Sequence, residues 1–536
     1  MLDVRLVNAT ILTMDPAHPV ARQVGWWRGR VVGLDDAVAG LPTRAEVDLG
    51  GATVLPGFVD AHVHLVWAGL RARGASVAPC ARVPDVLATI GAAAARVPPG
   101  EWVDVVGYDQ RPLGRHLTAA ELDSVARGRK VFVVHDSGHA CVVSSAVLAE
   151  LPAGVSHRDG MLVEDGMAQV RRLRQPYPVD DLVAAIEHAG RTCLAEGVTS
   201  VAEAGIGGGL ISHSPVELAA YQEAADVGRL PVRVQLMVAG DALRPAAAHP
   251  ADGIPRALDL GLRTGFGGDR LGIGALKVFT DGGMMPRTAA LTEPYRGLDH
   301  AGELYADPEV LTETIVAGHR AGWQLAVHAI GDRAVDVALA GLERAQREHP
   351  RPAARHRVEH AGLVRPDQLA RFARIPAIAV VQPNFLWYLG DDYAEIMGEE
   401  RAPWLYRGRA FLEHGVVLAG SSDRPVTPGA PLRAIQFMVE RRTAGGRALG
   451  SGEGLTVEEA VRAYTRTAAH ACHWEDSRGT LAPGTLADLA VLGADPRRVD
   501  VSRIGDIEVV ATVIGGEVAH GEHSGSPRDR MDTGAR

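Results

Sequence analysis

Val54-Leu-Pro-Gly-Phe-Val-Asp-Ala-His-Val-His-Leu65 decides how the rest of this 536-residue chain is read. An apolar strand start runs through a Pro-Gly turn into a second short strand that ends in His-x-His. Alternate side chains of a strand point the same way. His62 and His64 therefore project from one face, close enough to hold one metal ion, while Val63 points into packing. A lone histidine pair is equally the mark of a cross-strand polar contact, so the weight falls on what lies further along the chain.

Outward from this stretch, short apolar segments alternate with longer helical ones, the pattern of a parallel barrel or a doubly wound sheet. Eight strand candidates stand out: Phe58–His64, Val198–Glu203, Val232–Val238, Ile273–Phe279, Gln324–His328, Arg357–His360, Ala377–Gln382 and Val416–Gly420. Helical segments such as Val179–Glu196, Glu309–Ala321 and Asp332–Glu348 separate most of them. Eight such units are the count of a (β/α)8 barrel. The expected fold class is thus α/β, a TIM-like barrel over residues 57–69 and 190–479, with Val457–His470 a further helix near its end.

The gap between the first two strands is too long for one helix, so residues 70–189 are expected to form an insertion. It carries a helix at about 84–96 and a strand, Lys130–His135. Following the first barrel strand, it is expected near the active site, because active sites sit at the strand ends of such barrels. Both chain ends are strand-rich, in Val4–Met14 and Gly25–Leu34, then in Ala487–Leu492, Val509–Ile514 and Glu517–His520. Neither end has strands enough for a core of its own, so residues 1–56 and 480–522 are expected to make one small β-sandwich. Residues 523–536, polar with Gly, Ser and Pro, read as a disordered tail.

Composition sets bounds on the rest. Hydrophobic residues at 46% and charged residues at 22% are ordinary for a globular protein. A net charge of -10 without a basic cluster argues against a nucleic-acid partner. No apolar run approaches the roughly 20 residues of a membrane helix, and Met1-Leu-Asp-Val-Arg5 lacks a signal-peptide layout. Cys80, Cys141, Cys193 and Cys472 are scattered and read as reduced thiols. The expectation is a cytoplasmic enzyme with a small-molecule substrate and no membrane partner, and a homo-oligomer is compatible with it. Of the 55 Lys plus Arg residues, only Lys130 and Lys277 are lysines. A lysine kept in an arginine-dominated chain marks a place where an amine that can lose its proton is needed.

The strand candidates end in a telling set of residues. His62 and His64 end the first, and Lys277 lies in the fourth, within Gly274-Ala-Leu-Lys-Val-Phe-Thr-Asp-Gly-Gly283. His328 ends the fifth, His360 the sixth, and Asp423 follows the eighth in Ala419-Gly-Ser-Ser-Asp-Arg-Pro425. Carboxyl ends of parallel strands converge on one face, so these six side chains are expected around one cavity. Four imidazoles and a carboxylate suit zinc or a similar divalent ion. Gln382, ending the seventh strand, faces the same cavity and is a candidate substrate contact.

Together these strings resemble the amidohydrolase superfamily, and more closely its amidohydrolase-3 branch, the YtcJ-like metal-dependent hydrolases. The branch likeness rests on Lys277-Val-Phe-Thr-Asp-Gly282, Val327-His-Ala-Ile-Gly-Asp-Arg-Ala334, Val358-Glu-His-Ala361 and Gly420-Ser-Ser-Asp-Arg-Pro-Val426. It covers nearly the whole chain, from residue 2 to about 515. The resemblance implies that His62, His64, His328 and His360 are ligands of one or two ions. It implies a Lys277 carboxylated by CO2 to bridge two metals. It also makes Asp423 both ligand and catalytic proton carrier. Gly107-Tyr-Asp-Gln-Arg111 and His135-Asp-Ser-Gly-His-Ala140 resemble branch segments near the substrate entrance, which makes Asp109 and His139 candidate substrate contacts. Where the branch carries an aromatic residue and an Asn, this chain has Cys141-Val-Val-Ser-Ser145. The activity implied is hydrolysis of a non-peptide C–N bond by a metal-activated water. The alternatives are an esterase or phosphoesterase on the same site and a metal-free, non-catalytic scaffold.

Overall fold

Eight parallel strands form one sheet whose hydrogen-bonded order is also their order in the chain. They are β1 (Phe58–Val63), β2 (Val198–Ile206), β3 (Arg233–Ala239), β4 (Leu271–Phe279), β5 (Leu325–Ala329), β6 (Arg357–His360), β7 (Ile378–Val381) and β8 (Leu418–Gly420). All eight lie at the expected places, and the sheet is a nearly closed TIM barrel. Every residue of β1, β2, β3 and β5 through β8 is buried. Strands covered on both faces read as continuous apolar runs, which is why they stood out. Just past the strand ends, Asp423 donates its backbone N–H to His62 O at 2.8 Å, and His64 donates to Arg424 O at 2.9 Å. These bonds tie β8 to β1. The computed structural model describes residues 1–136, 140–208 and 211–521, without the side chains of Glu164 and Asp165. His139 and the tail 523–536 therefore lie outside the described residues.

Small side chains make the barrel core. Ala61, Ala202, Ala204, Ala275, Ala326 and Ala419 pack with Val59, Met237 and Val380. At the turn into β1, a Cβ on Gly57 would fall 2.2 Å from Thr199 Cγ2 of β2, so only glycine fits the close approach. The single helix expected over Val457–His470 is two helices instead, Val457–Ala463 and Arg466–Ala471. The break falls at Tyr464, whose carbonyl accepts from Val59 N and whose hydroxyl donates to Ser421 O. The second helix ends across the strand starts. There Gln235 and Gln324 donate to the carbonyls of Cys472 and Ala471, and Arg357 donates to Cys472 Sγ.

The chain ends build two sheets over a common core. One holds Leu2–Val7, Val24–Trp27, Arg30–Leu34 and Thr43–Asp48. The other joins Thr10–Leu12, Val20–Ala21 and Thr53–Pro56 to the late strands Leu489–Leu492, Val509–Ile514 and Glu517–His520. Leu6, Val24 and Trp26 of the first sheet pack with Ile11, Val54, Leu489, Val491 and Val513 of the second. The stretch Val4–Met14 reads as one strand region, but the structure cuts it at Asn8. That residue takes a φ of 53° and sends the chain from one sheet to the other. Asn tolerates this left-handed turn better than most residues.

Val66–Ala189, with His213–Ala220, is a second compact unit. Its five-stranded sheet contains Trp102–Tyr108, Lys130–His135 and Ala140–Val143, flanked by short strands Ala75–Ser76 and Met161–Val163. Helices Val83–Ala94 and Ala119–Ala126 cover an apolar core that includes Ile90, Val103, Leu122 and Val131. Among the described residues, no helix is long and apolar enough to cross a membrane.

Candidate metal centre

β1 delivers His62 and His64 to the barrel's carboxyl end, and the loop after β8 delivers Asp423. One ligand-type atom from each of the three lies within 4.8 Å of the others, and all three residues are buried. His64 Nε2 stands 3.0 Å from Asp423 Oδ1, and His62 Nε2 stands 3.4 Å from the same oxygen. Lys277 Nζ is 3.4 Å from His62 Nε2. The His360 ring centre is 5.0 Å from that of His62 and 4.4 Å from that of His328. The structure thus brings all six strand-end residues together. His360 and Asp423 have φ values of 70° and 52°, a left-handed backbone that non-glycine residues avoid and that gathers at functional sites.

Each imidazole is aimed by a partner on its other nitrogen. His62 Nδ1 donates to Glu359 Oε2 at 2.5 Å. Glu359 is in turn gripped by both Nε and NH2 of the fully buried Arg357. His360 Nδ1 donates to Gln382 Oε1 at 2.8 Å, and Gln382 Nε2 donates to Ser421 Oγ. His328 Nε2 donates to Gly282 O at 3.0 Å. His64 Nδ1 lies 3.6 Å from Glu203, whose carboxylate also accepts from Leu65 N and Tyr221 OH. Such outer partners fix tautomer and ring direction, and leave the inner nitrogen with its lone pair exposed to the cluster. The inner nitrogen of His328, Nδ1, is buried without a hydrogen-bond partner. A buried polar atom left in that state is unfavourable. A cation there would satisfy it, so the donor set fits a divalent metal.

The electrostatics agree with this division. Burial and the nearby Lys277 charge push His62 well below the ordinary histidine value, and burial with the neighbouring His328 does the same to His360. Both are neutral imidazoles, the form that binds metal. Burial also pulls His64 down, but the Asp423 and Glu203 carboxylates flanking it hold its pKa up at about 9. A proton and a cation therefore compete for this position. Burial raises the Asp423 carboxyl, yet the His64 hydrogen bond and the His64 and Lys277 charges outweigh it and keep it below the usual range. Burial lowers the Lys277 amine to about 8.

Two expectations need correction or placing. Gln382 is fully buried with both ends of its amide bonded to protein, so it orients His360 rather than meeting substrate. Asp109 belongs to the second compact unit, where Arg111 binds its carboxylate through the side chain and the backbone N–H. Asp332, the first residue of the helix Asp332–Glu348, is buried. It accepts from Thr292 N and Thr292 Oγ1 and from Arg365. Reading the sequence missed Glu203, Glu359 and Asp281. Asp281 is a buried carboxylate that accepts from the backbone N–H groups of Ala290, Ile330 and Gly331 and lies 3.4 Å from His328 Nε2. Their signal was an acid at or near the end of an otherwise apolar strand.

The sequence profile of the Amidohydrolase family matches residues 45–520. YtcJ of Bacillus subtilis (strain 168), named as an amidohydrolase, is 29% identical over 509 residues, 90% of this chain and 91% of that protein. An N-substituted formamide deformylase of Arthrobacter pascens is 28% identical over 559 residues, covering 98% of this chain and 99% of its own. The crystal structure of an uncharacterized metal-dependent hydrolase from Pyrococcus horikoshii OT3 aligns with a TM-score of 0.78 at 27% identity, covering 93% of this chain and 99% of that one.

Proposed function

Because the chain belongs to the Amidohydrolase family, we propose that it hydrolyses a non-peptide carbon–nitrogen bond of a small molecule. The observation that carries this reading is the buried cluster of His62, His64 and Asp423, with ligand-type atoms within 4.8 Å of one another. These three would hold a divalent ion, zinc by its preference for imidazole and carboxylate donors. His328, His360 and a carboxylated Lys277 would hold a second. Bound there, such ions supply an acidified water and a polarised carbonyl.

The chain's own groups do the rest. Asp423, whose carboxyl lies below the usual range first through its hydrogen bond with His64, accepts the proton of the attacking water and returns it to the leaving nitrogen. Lys277 forms the carbamate by attack of its neutral Nζ on the carbon of CO2. A new N–C bond forms, one proton leaves the nitrogen, and the negative charge ends on the carboxylate oxygens. An amine lowered to about 8 has a substantial neutral fraction near neutral pH, which an ordinary lysine lacks. The A. pascens relative, named for removing formyl groups from nitrogen, supports an amide-type bond.

The test pairs metal analysis of the purified protein with a panel of N-substituted formamides and amides set against esters. Bound zinc and amide turnover are expected. Turnover of esters alone would move the reaction to another bond, and less than about 0.2 equivalents of metal with no uptake of added zinc would favour a scaffold. For the carbamate, Lys277→Ala should regain part of its activity with acetate or propionate, while Lys277→Arg stays inactive, because guanidinium keeps its proton. An active Lys277→Arg enzyme would sink the carbamate.

A further inference from the structure

A cavity of about 500 Å³ opens at the carboxyl ends of β2, β3 and β4, where Gly205, Ala239 and Lys277 line it. Its volume lies in the range that encloses a small organic ligand, roughly 300–1,000 Å³. Lys277 belongs both to this wall and to the histidine cluster, since its Nζ is 3.4 Å from His62 Nε2. Lys277 thus stands between the cavity and the candidate centre, as a member of both.

Its walls have a consistent chemistry. Phe279 and Tyr305 line it with ring centres 6.4 Å apart and tilted by 44°. Phe279 also lies 4.9 Å from the His328 ring centre, so the aromatic wall begins at the histidines. It ends at solvent, because Tyr305 is 53% exposed. Leu311 and Thr314, on the helix Pro308–Arg320, add another side. The other charged groups, Asp241 and Arg256, are exposed residues and so lie at the cavity's rim, where Arg256 donates to Leu243 O. Between Lys277 and that rim, the cavity offers aromatic and aliphatic surface.

We propose that this cavity takes the apolar substituent of a secondary amide, an aryl or branched alkyl group, and that Phe279, Tyr305 and Leu311 select it. The inference rests on the hydrolase reading above. An apolar group gains free energy by leaving water for such walls, and an aromatic one gains further from the paired rings. A charged group would lose hydration there without gaining a partner. The substituent can belong to the acyl or the amine side of the bond; the chemistry of recognition is the same, and the assay separates the two.

The test uses the zinc-loaded full chain and two substrate series, N-alkylformamides from methyl to hexyl and N-methyl acylamides from acetyl to hexanoyl. In one series kcat/KM should climb about fourfold per methylene until the cavity is full, and that series names the side. Thr314→Trp, which fills the cavity from its helix, should lower the hexyl-to-methyl or hexanoyl-to-acetyl ratio at least tenfold while the metal content stays at the wild-type level. A readout free of turnover is saturation-transfer NMR with benzyl alcohol as probe, expected positive for the wild type and lost in Thr314→Trp. If neither series is hydrolysed but the probe binds this way, the hydrolase reading fails and the apolar site stands. If amides are hydrolysed with no dependence on chain length, and Thr314→Trp leaves the ratio unchanged, the cavity proposal is overturned and the hydrolase reading survives.

Discussion

Two sets of buried histidines sit in this barrel, and they differ in what their ring nitrogens have left to do. His319 and His356, at 0% and 3% exposure, are as buried as His62 and His360 at 0% and 2%. In the His319–His356 pair every ring nitrogen is used. Leu325 donates its N–H to His356 Nδ1, the two rings meet at 2.7 Å between His356 Nε2 and His319 Nδ1, and His319 Nε2 donates to His349 O. In the strand-end set His62, His328 and His360 each spend one nitrogen on an outer hydrogen bond, and the Nε2 atoms of His62 and His64 face Asp423, that of His62 also Lys277. Burial lowers the basicity of members of both sets. Depressed basicity is therefore not the mark of a site; a second ring nitrogen left to face the residues of other strand ends is.

The hardest test of this contrast is to remove one ring from each set. His62→Ala or His360→Ala should lose metal and roughly a thousandfold or more in activity together. His319→Ala should keep its metal and most of its activity per folded molecule, and lose stability instead, because His356 and the His349 carbonyl are left without their partner. Metal content and single-turnover rate on each purified variant decide it. A His62→Ala protein with full metal would remove that residue from the ligand set.

A smaller effect sharpens the same contrast from the outer layer. Glu359→Gln preserves shape but weakens the hold on His62 Nδ1 and leaves Arg357 without its counter-charge. Metal affinity should fall 10–100-fold, the usual range for an outer partner of a ligating histidine. The buried, unpaired guanidinium should also lower the unfolding free energy by about 3–5 kcal/mol. Titration against a competing chelator separates the two, since a merely structural loss would leave the affinity of the folded fraction unchanged.

How far the sequence foretold this arrangement follows from the physics of each part. Strands β1 to β8 were legible because a sheet buried on both faces must be apolar throughout, and the polar ends of those runs then pointed to the cluster. Glu359 and Glu203 were overlooked although they sit inside two of the same strands. An acid in a strand does not reveal whether it faces a metal, a histidine or an arginine until the fold supplies its neighbour. Gln382 was read one layer too far inward for the same reason. The second compact unit showed only its helix near 84–96 and the strand Lys130–His135. Its flanking strands, Ala75–Ser76 and Met161–Val163, are two and three residues long, too short for any periodicity. In the N-terminal strand region the hydrophobic pattern runs unbroken across Asn8, where only a backbone dihedral marks the change of sheet.

The smallest expected effect lies in acid. Burial and the neighbouring His319 push His356 well below its ordinary value of 6.5, and burial lowers His319 as well. Folded, the pair resists protonation, since a second proton would set two N–H groups against each other beside the Arg351 guanidinium, which donates to His319 O. The unfolded chain takes up those protons readily below 6.5. Stability is thus intact above that pH and falls as the pH drops beneath it. His62 and His360 titrate in the same direction, so the pair must be isolated by difference. Urea midpoints at pH 7.5 and 5.5, with zinc saturating, should fall more for the wild type than for a His319→Gln, His356→Gln double variant, by at least about 1 kcal/mol. Equal losses in both proteins would show that the pair is protonated in the folded state, and with it the claim that its nitrogens are fully spent would fail.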